Sequence, residues 1–273
     1  MTALSLKLDT PDLARHYEEA SSDRQFKAGK LFAQKLALRP GDKVLDVGSG
    51  TGLLAEHVAG IVGPTGSVVA IDPLPLRIDV ARHRTRPNLT FRVGDAYELG
   101  AFADASFDVV YLNAVFHWLP EKLGPLRTFH RLLRAGGRLG ITTGSKEHVN
   151  PLQAIRLSVL AREPYRRFPE SKAGAAHRVS ARELRGLFEQ TGFEPESIEV
   201  VPNVIVHSSG DAAIAFSQAS SFGNFLGHLP DNLQRSAREE IRRELEALRT
   251  SDGIRLESAR ILAVARKRAP EGR

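Results

Sequence analysis

Cysteine is absent from the 273 residues. That removes disulfides, thiolate metal sites and cysteine nucleophiles from consideration. No apolar run reaches the roughly 18 residues a membrane-spanning helix needs, and the N-terminus lacks a signal-peptide pattern. These absences point to a cytoplasmic protein with no membrane partner. Metal-ligand spacing is missing as well: His16, His83, His117, His130 and His148 fall into no recognisable ligand motif. No metal is therefore expected. Internal repeats are not evident. The formal charge of +6 raises nucleic acid as a partner. The basic residues, however, come in scattered groups (Arg82, Arg84, Arg86; Arg162, Arg166, Arg167) interleaved with helical apolar spacing, and no aromatic-basic ribonucleoprotein motif occurs. A basic surface or an anionic small substrate accounts for the charge better than nucleic acid does.

What is present is ordinary in bulk and specific in one place. Hydrophobic residues make up 42% and charged residues 26%, which suits one large domain or one core with an elaborated cap. The specific place is Val44-Leu45-Asp46-Val47-Gly48-Ser49-Gly50-Thr51-Gly52, followed by helical apolar spacing over Leu53–Val58. Strand, glycine turn and helix in that order make a ligand-binding crossover of an α/β sheet. Glycines let the backbone approach a ligand, and the helix N-terminus offers unpaired N–H groups. A nucleoside-like cofactor is implied.

Around this motif the pattern alternates. Strands are expected at Lys43–Val47, Ser67–Ile71, Leu89–Val93, Phe107–Leu112 and Arg138–Thr143. Helices are expected over residues 11–38 in two pieces, 53–62, Leu76–Arg86 and Leu123–Arg134, the last ended by the glycine signal Ala135-Gly136-Gly137. Such alternation implies a Rossmann-like, doubly wound, mostly parallel sheet of seven strands, with ligands beyond the carboxyl ends of its strands. After Thr143 the rhythm breaks. A helix at 149–163 leads into an irregular stretch to about Ala176, then a helix Ser180–Thr191 carrying a capping-box signature in Ser180 and Glu183. Strand residues run from about Ser197 to His207, a helical insertion fills 208–250 with Ala237, Ile241, Leu245 and Leu248 on one face, and Gly253–Arg266 completes the sheet. In that insertion Glu239–Arg243 and Arg242–Glu246 are spaced as ion pairs. The organisation is an N-terminal helical segment (1–39), a cofactor-binding core (40–145), helical lid insertions (146–178 and 208–250) and segments completing the sheet (179–207 and 251–268).

Two cofactor classes use a glycine turn followed by an acidic residue. Gly50-Thr51-Gly52-Leu53-Leu54-Ala55 satisfies the nicotinamide pattern, though a lone match of this kind is weak. Asp72 ends the second strand, where a carboxylate accepts ribose hydroxyls of either cofactor. Asp95 follows the third strand, as an adenine acceptor or as the turn residue of Gly94-Asp95; Asp46 is open to reading as a helix cap. No Tyr-x-x-x-Lys pair of an oxidoreductase occurs.

Taken together, Asp46-x-Gly48-x-Gly50-x-Gly52, Asp72-Pro73, Gly94-Asp95-Ala96 and Phe107-Asp108-Val109-Val110 resemble the class I S-adenosylmethionine-dependent methyltransferases, in order and in spacing. The likeness covers about residues 40–145, with a helix-Gly-Phe-strand passage at 180–206. It implies S-adenosylmethionine as cofactor and S-adenosylhomocysteine as product. Gly48, Ser49 and Gly50 would lie along the methionine moiety, Asp72 on the ribose with Pro73 beside the adenine, and Asp95 and Ala96 at the adenine edge. Asp46 would orient the loop and offset the sulfonium charge, with Asn113 closing the site at the fourth strand. The stretch Asn113–Pro120 resembles that of the small-molecule branch, with its trans-aconitate, carboxyl and ubiquinone-type enzymes. It nominates His117 as a base or methionine-end contact and Trp118 as a donor to a substrate oxygen. Tyr17, in a helix that folds over the cofactor in such enzymes, is a further contact. Arg166, with Arg167 and His177, is a candidate for an anionic substrate. The expected reaction is in-line methyl transfer to a small molecule by a monomer or homodimer. Oxygen, as carboxylate or hydroxyl, is the first choice; nitrogen or carbon is the alternative, and a nicotinamide-dependent oxidoreductase is the rival class. Lacking cysteine, the chain is a poor fit to thiol-dependent arsenite methylation.

Overall fold

Val44, Leu45 and Val47 are buried on both faces of their strand, the burial expected of a parallel strand covered by helices on either side. The computed structural model describes residues 26–168, 176–220 and 225–268. Within them a helix at residues 26–35 (α1) precedes β1 (Lys43–Val47), α2 (Leu53–Val62), β2 (Ser67–Asp72), α3 (Pro75–Ala81), β3 (Leu89–Val93) and β4 (Phe107–Asn113). A 3-10 turn at Phe116–Trp118 leads to α4 (Leu123–Leu132) and β5 (Leu133–Gly144). Then come α5 (Pro151–Leu160), α6 (Ala181–Gln190), β6 (Phe193–His207), α7 (Gly210–Ser220), α8 (Asp231–Glu246), β7 (Arg249–Thr250) and β8 (Gly253–Lys267).

The sheet runs β3-β2-β1-β4-β5-β8-β6, with the two-residue β7 paired to β8. The pairs from β3 through β5 are parallel, and β8 inserts antiparallel between β5 and β6. The expected mostly parallel, doubly wound sheet is thus what forms. The chain steps outward from β1 to β3 and then returns to β4 on the other side of β1, so the crevice beyond β1 and β4 is the switch point at which such sheets bind ligands.

Two apolar clusters sandwich the sheet. One gathers Leu45, Val47, Leu112, Phe116 and Phe129; the other gathers Phe32, Leu36, Val58 and Tyr111. β6 and β8 continue past the end of β5: residues 202–207 pair with 254–259, beyond the last β5 partner, Arg260. On this two-stranded arm a third core forms from Leu152, Tyr165, Ile214, Leu226, Ile241 and Leu256. It joins α5, α7 and α8 into one body at the carboxyl end of the sheet. Among the described residues, no helix is long and apolar enough to cross a membrane.

Several boundaries depart from the sequence reading for local reasons. α3 stops at Ala81 rather than Arg86. Pro87 biases the preceding residue away from helical backbone, and Arg84 turns back to donate to the Thr51 carbonyl at 2.8 Å. α4 ends at Leu132, before the glycines, because Leu133 pairs with Phe107 of β4. The ladder resumes at Val109–Arg138, so Ala135-Gly136-Gly137 lies within β5 at a bulge-like register shift and is not a helix cap. β6 starts at Phe193 rather than Ser197, since an edge strand tolerates Pro195. In α8, Leu248 falls outside the helix and is exposed, and Arg242 pairs with Glu239 instead of Glu246. The Ser180–Glu183 capping box is present as read. The part of the N-terminal helices before residue 26 lies outside the described residues.

α1 packs onto the sheet only because β5 carries a glycine beneath it. A Cβ on Gly140 would stand 2.2 Å from Leu36 Cδ2 and 2.8 Å from Phe32 Cζ, both fully buried. Gly140→Ala should therefore cost about 1–3 kcal/mol through overpacking, read as a lowered Tm. An unchanged Tm would place α1 elsewhere.

Candidate functional site

The floor of the crevice is the glycine loop after β1. Gly48 sits at φ +81°, a region open to glycine and costly to others. Its N–H and that of Ser49 both donate to the Ile71 carbonyl, at 2.8 and 2.9 Å. The Asp72 carboxylate, buried at the end of β2, ties the next two segments together. One oxygen accepts from the Gly50 N–H at 2.8 Å and the other from the Leu74 N–H at 2.9 Å. A single side chain thus holds both the glycine loop and the entry to α3. A carboxylate oxygen can accept more than one hydrogen bond, so a ligand hydroxyl can add to these contacts. Ser49 Oγ is shielded from solvent and has no hydrogen-bond partner among the described residues. A buried hydroxyl left so is costly, and here it lies in a loop shaped to meet a polar ligand. α2 begins behind it with no side-chain cap, so its first N–H groups stay available.

Asp46 lies one layer below. Its Oδ2 accepts from the Tyr111 hydroxyl at 2.6 Å. Burial raises its pKa to about 7, against the opposing Tyr111 bond and with a further push from Asp72. It is this tyrosine bond, not a helix cap, that Asp46 makes.

Beyond β3, Asp95 accepts from the Tyr97 N–H at 2.9 Å, and Ala96 is buried. The Tyr97 hydroxyl donates to the Glu121 carbonyl at 2.7 Å. That bond spans the mouth, joining the β3 loop to the segment following β4.

The far wall follows β4. Ala114 adopts φ +59°, uncommon outside glycine. Its N–H is claimed by Thr142, whose Oγ1 accepts it at 2.8 Å and itself donates to Asn113 Oδ1 at 2.8 Å. This held strain turns the chain into the 3-10 turn bearing His117 and Trp118, whose ring centroids lie 4.7 Å apart. Lys122 fastens the turn from below, donating to the carbonyls of Phe116 (2.9 Å) and Leu119 (2.6 Å). His117 Nδ1 lies 3.2 Å from Thr143 Oγ1, and its carbonyl accepts from the His177 N–H at 2.6 Å. The segment from residue 176 therefore crosses directly over the site. It pairs at Val179 with Ser145 and brings Arg178 against Gly144.

Burial, then the charges of Arg178 and Lys122, push the His117 pKa down to about 3. The imidazole is neutral in the folded chain and must take up a proton when the chain unfolds below its ordinary value of 6.5. The stability this contributes is complete above pH 6.5 and is lost as pH falls toward 3. His117→Asn should flatten that acid limb in a plot of Tm against pH. A limb of unchanged slope would show His117 to be solvated and titrating normally.

The sequence-derived residues divide on this geometry. Asp46, Gly48, Ser49 and Gly50 fall in or just after β1, Asp72 and Pro73 at the end of β2, Asp95 and Ala96 just after β3, and Asn113, His117 and Trp118 at or after the end of β4, all toward the carboxyl end of the sheet. Arg166 instead stands exposed, its guanidinium taken by Glu163, which also pairs with Arg167. Tyr17 lies outside the described residues. Thr143, Lys122, Arg156 and Arg178 went unnoticed in the sequence, where isolated polar residues carry no periodic signal. Among the described residues, no three His, Asp or Glu side chains gather as a metal-ligand group.

Comparison with known proteins agrees with this architecture. Residues 45–141 match the family model of a methyltransferase domain. An arsenite methyltransferase of Halobacterium salinarum is 32% identical over 178 residues, 63% of this chain and 41% of that protein. The ubiquinone/menaquinone biosynthesis C-methyltransferase of Ectopseudomonas mendocina is 40% identical over 131 residues, 46% of this chain and 50% of that protein. The demethylmenaquinone methyltransferase of Lactobacillus johnsonii is 30% identical over 184 residues, 60% and 73%. The chain spans half or less of the length of the first two. In fold, it resembles the YcgJ protein from Bacillus subtilis with a TM-score of 0.62 at 19% identity, over 90% of this chain and all of that one.

Proposed function

Because the chain belongs to the class I S-adenosylmethionine-dependent methyltransferases, we propose that it transfers a methyl group from that cofactor to an oxygen of a small molecule, in the cytoplasm and without a metal ion. The observation that carries the cofactor assignment is the Asp72 carboxylate pinned to Gly50 and Leu74 beside an unpartnered Ser49 hydroxyl. This is a polar cradle whose remaining acceptor and donor capacity suits a ribose and an amino-acid tail. When bound, S-adenosylmethionine supplies an electrophilic methyl carbon on a positively charged sulfur.

The remaining roles fall to the chain. Asp72 accepts from the ribose hydroxyls, with Pro73 beside the adenine, and Asp95 and Ala96 receive the adenine edge. Gly48, Ser49 and Gly50 lie along the methionine portion, and Asn113 bounds it at β4. Asp46, with a pKa near 7, adds negative charge beneath the loop as it ionises. His117 and Trp118 orient the acceptor, and the α5–α7–α8 body excludes water from it. Positioning of this kind carries most of an in-line displacement.

The acceptor chemistry follows from what the wall can do to a proton. A hydroxyl must lose its proton on attack, and a carboxylate at neutral pH has none to lose. His117, neutral with a pKa near 3, is a weak base. A carboxylate oxygen is accordingly favoured over a hydroxyl. Carbon methylation is the second reading, favoured by the C-methyltransferase relative. Arsenite is set aside, because no thiol is available to hold it. The test is S-adenosylhomocysteine release with panels of small carboxylic acids, phenols and quinols. Turnover confined to the acids supports oxygen transfer to a carboxylate. Turnover confined to quinols, with the methyl found on ring carbon, would overturn it.

A further inference from the structure

Arg178 is the one cation of the crossing segment 176–180, and its surroundings are unusual. It is partly buried, its Nε lies 3.0 Å from where a Cβ on Gly144 would stand, and its charge acts on His117. Gly144 is the last residue of β5, at the carboxyl end of the sheet, and Thr143 beside it contacts His117. Arg178 therefore stands at the same end of the same crevice as the His117–Trp118 turn. Among the described residues its guanidinium joins no ion pair and makes no hydrogen bond. This contrasts with exposed arginines elsewhere on the chain: Arg162 is paired with Glu240 and Glu244, Arg166 and Arg167 with Glu163, and Arg242 with Glu239.

The neighbour it does have is another cation. Arg156, on α5, lies stacked over the Phe225 ring at 5.1 Å and close enough to repel Arg178. Burial and that repulsion both work against the Arg178 charge. Arg260 lies directly across from Gly144 in the β5–β8 ladder. The fold leaves the partly desolvated Arg178 guanidinium beside a second cation and without an acid among the described residues, short of negative charge. A planar five-donor fork in such a setting is suited to a bidentate oxyanion.

We infer that Arg178, with Arg156 behind it, is the anion-binding post of the acceptor site and receives a carboxylate or phosphate group of the substrate. The inference rests on the methyltransferase reading for its name as an acceptor site, since it deepens that reading by assigning the substrate class. It relocates the anionic contact from Arg166 to Arg178. The post lets substrate charge complete the pocket: an anion seated there offsets Arg178 and brings the rest of the acceptor against His117 and Trp118. A neutral acceptor of the same shape would leave Arg178 uncompensated and bind poorly.

Trp118 is the only tryptophan and reports on this pocket directly. Its fluorescence is to be titrated with malonate and with inorganic phosphate at constant ionic strength, so that general screening stays fixed. The wild type should show a saturable change. Arg178→Gln should weaken it at least tenfold, Arg178→Lys should fall between, and Arg242→Gln should match the wild type. Tm values of all variants exclude misfolding as the cause. No saturable change in the wild type, equal affinity in Arg178→Gln, or weakening by Arg166→Gln in place of Arg178→Gln would each overturn the inference. Calorimetry with S-adenosylhomocysteine on the same proteins separates the two readings. If the product binds wild type and Arg178→Gln alike but the anions do not bind, the anion post fails and the methyl-donor site stands. If the anions bind through Arg178 but the product does not bind, the methyl-donor reading fails instead.

Discussion

Asp72→Ala is expected to weaken S-adenosylhomocysteine binding about a hundredfold and to lower stability at the same time. Two losses coincide in this one side chain. The carboxylate accepts the N–H groups of Gly50 and Leu74; without it, both donors are left in a buried position, at about 1–3 kcal/mol each. The ligand also loses its charged acceptor, worth about 1.5–3 kcal/mol per hydrogen bond. Asp72→Asn separates the contributions. An amide keeps one acceptor for one of the two N–H groups but turns an NH2 toward the other, and it removes the charge. Stability should be partly restored in Asp72→Asn, with binding still impaired. If Asp72→Ala bound the product as tightly as the wild type, the carboxylate would be only a loop clamp.

Gly48→Ala should be damaging out of proportion to its one added methyl group. At φ +81° an alanine carries roughly 1–2 kcal/mol of backbone cost. Its Cβ would also stand 2.3 Å from Val115 Cγ2 and 2.9 Å from Cγ1, an overlap costing about 1–3 kcal/mol in a packed interior. Both effects move the loop that lines the crevice, so the Tm and the affinity for S-adenosylhomocysteine should fall together. Val115→Ala in the Gly48→Ala background removes both Cγ atoms and should recover the steric part, leaving the backbone part. Full recovery would assign the whole defect to Val115; no recovery would assign it to the backbone.

Much of the core was legible because its chemistry is periodic. β1 and β4 are buried on both faces, and each of the first four strands ends in, or is soon followed by, a residue out of character: Gly48, Asp72, Asp95 and Asn113. These mark the strand ends from which a ligand is met. The capping box at Ser180 is local chemistry and was equally visible. What stayed hidden depends on partners distant in sequence. Leu133 looks helical until Phe107 of β4 pairs with it. Ala114 gives no sign of a left-handed backbone, because Thr142, twenty-eight residues on, holds it there. Arg178 is indistinguishable from Arg166 in a list of basic residues. The difference lies in what surrounds each: Glu163 for one, and for the other a strand end, a histidine and a second arginine.

The central claim is that the Gly48–Gly52 loop and Asp72 hold a methyl-donor nucleoside and not a dinucleotide. Calorimetric titration of the wild-type chain with S-adenosylmethionine, S-adenosylhomocysteine and NADH tests it directly. Saturable one-to-one binding of the first two with no heat from NADH is the predicted result. Binding of NADH with none of either methyl-cofactor form would contradict it.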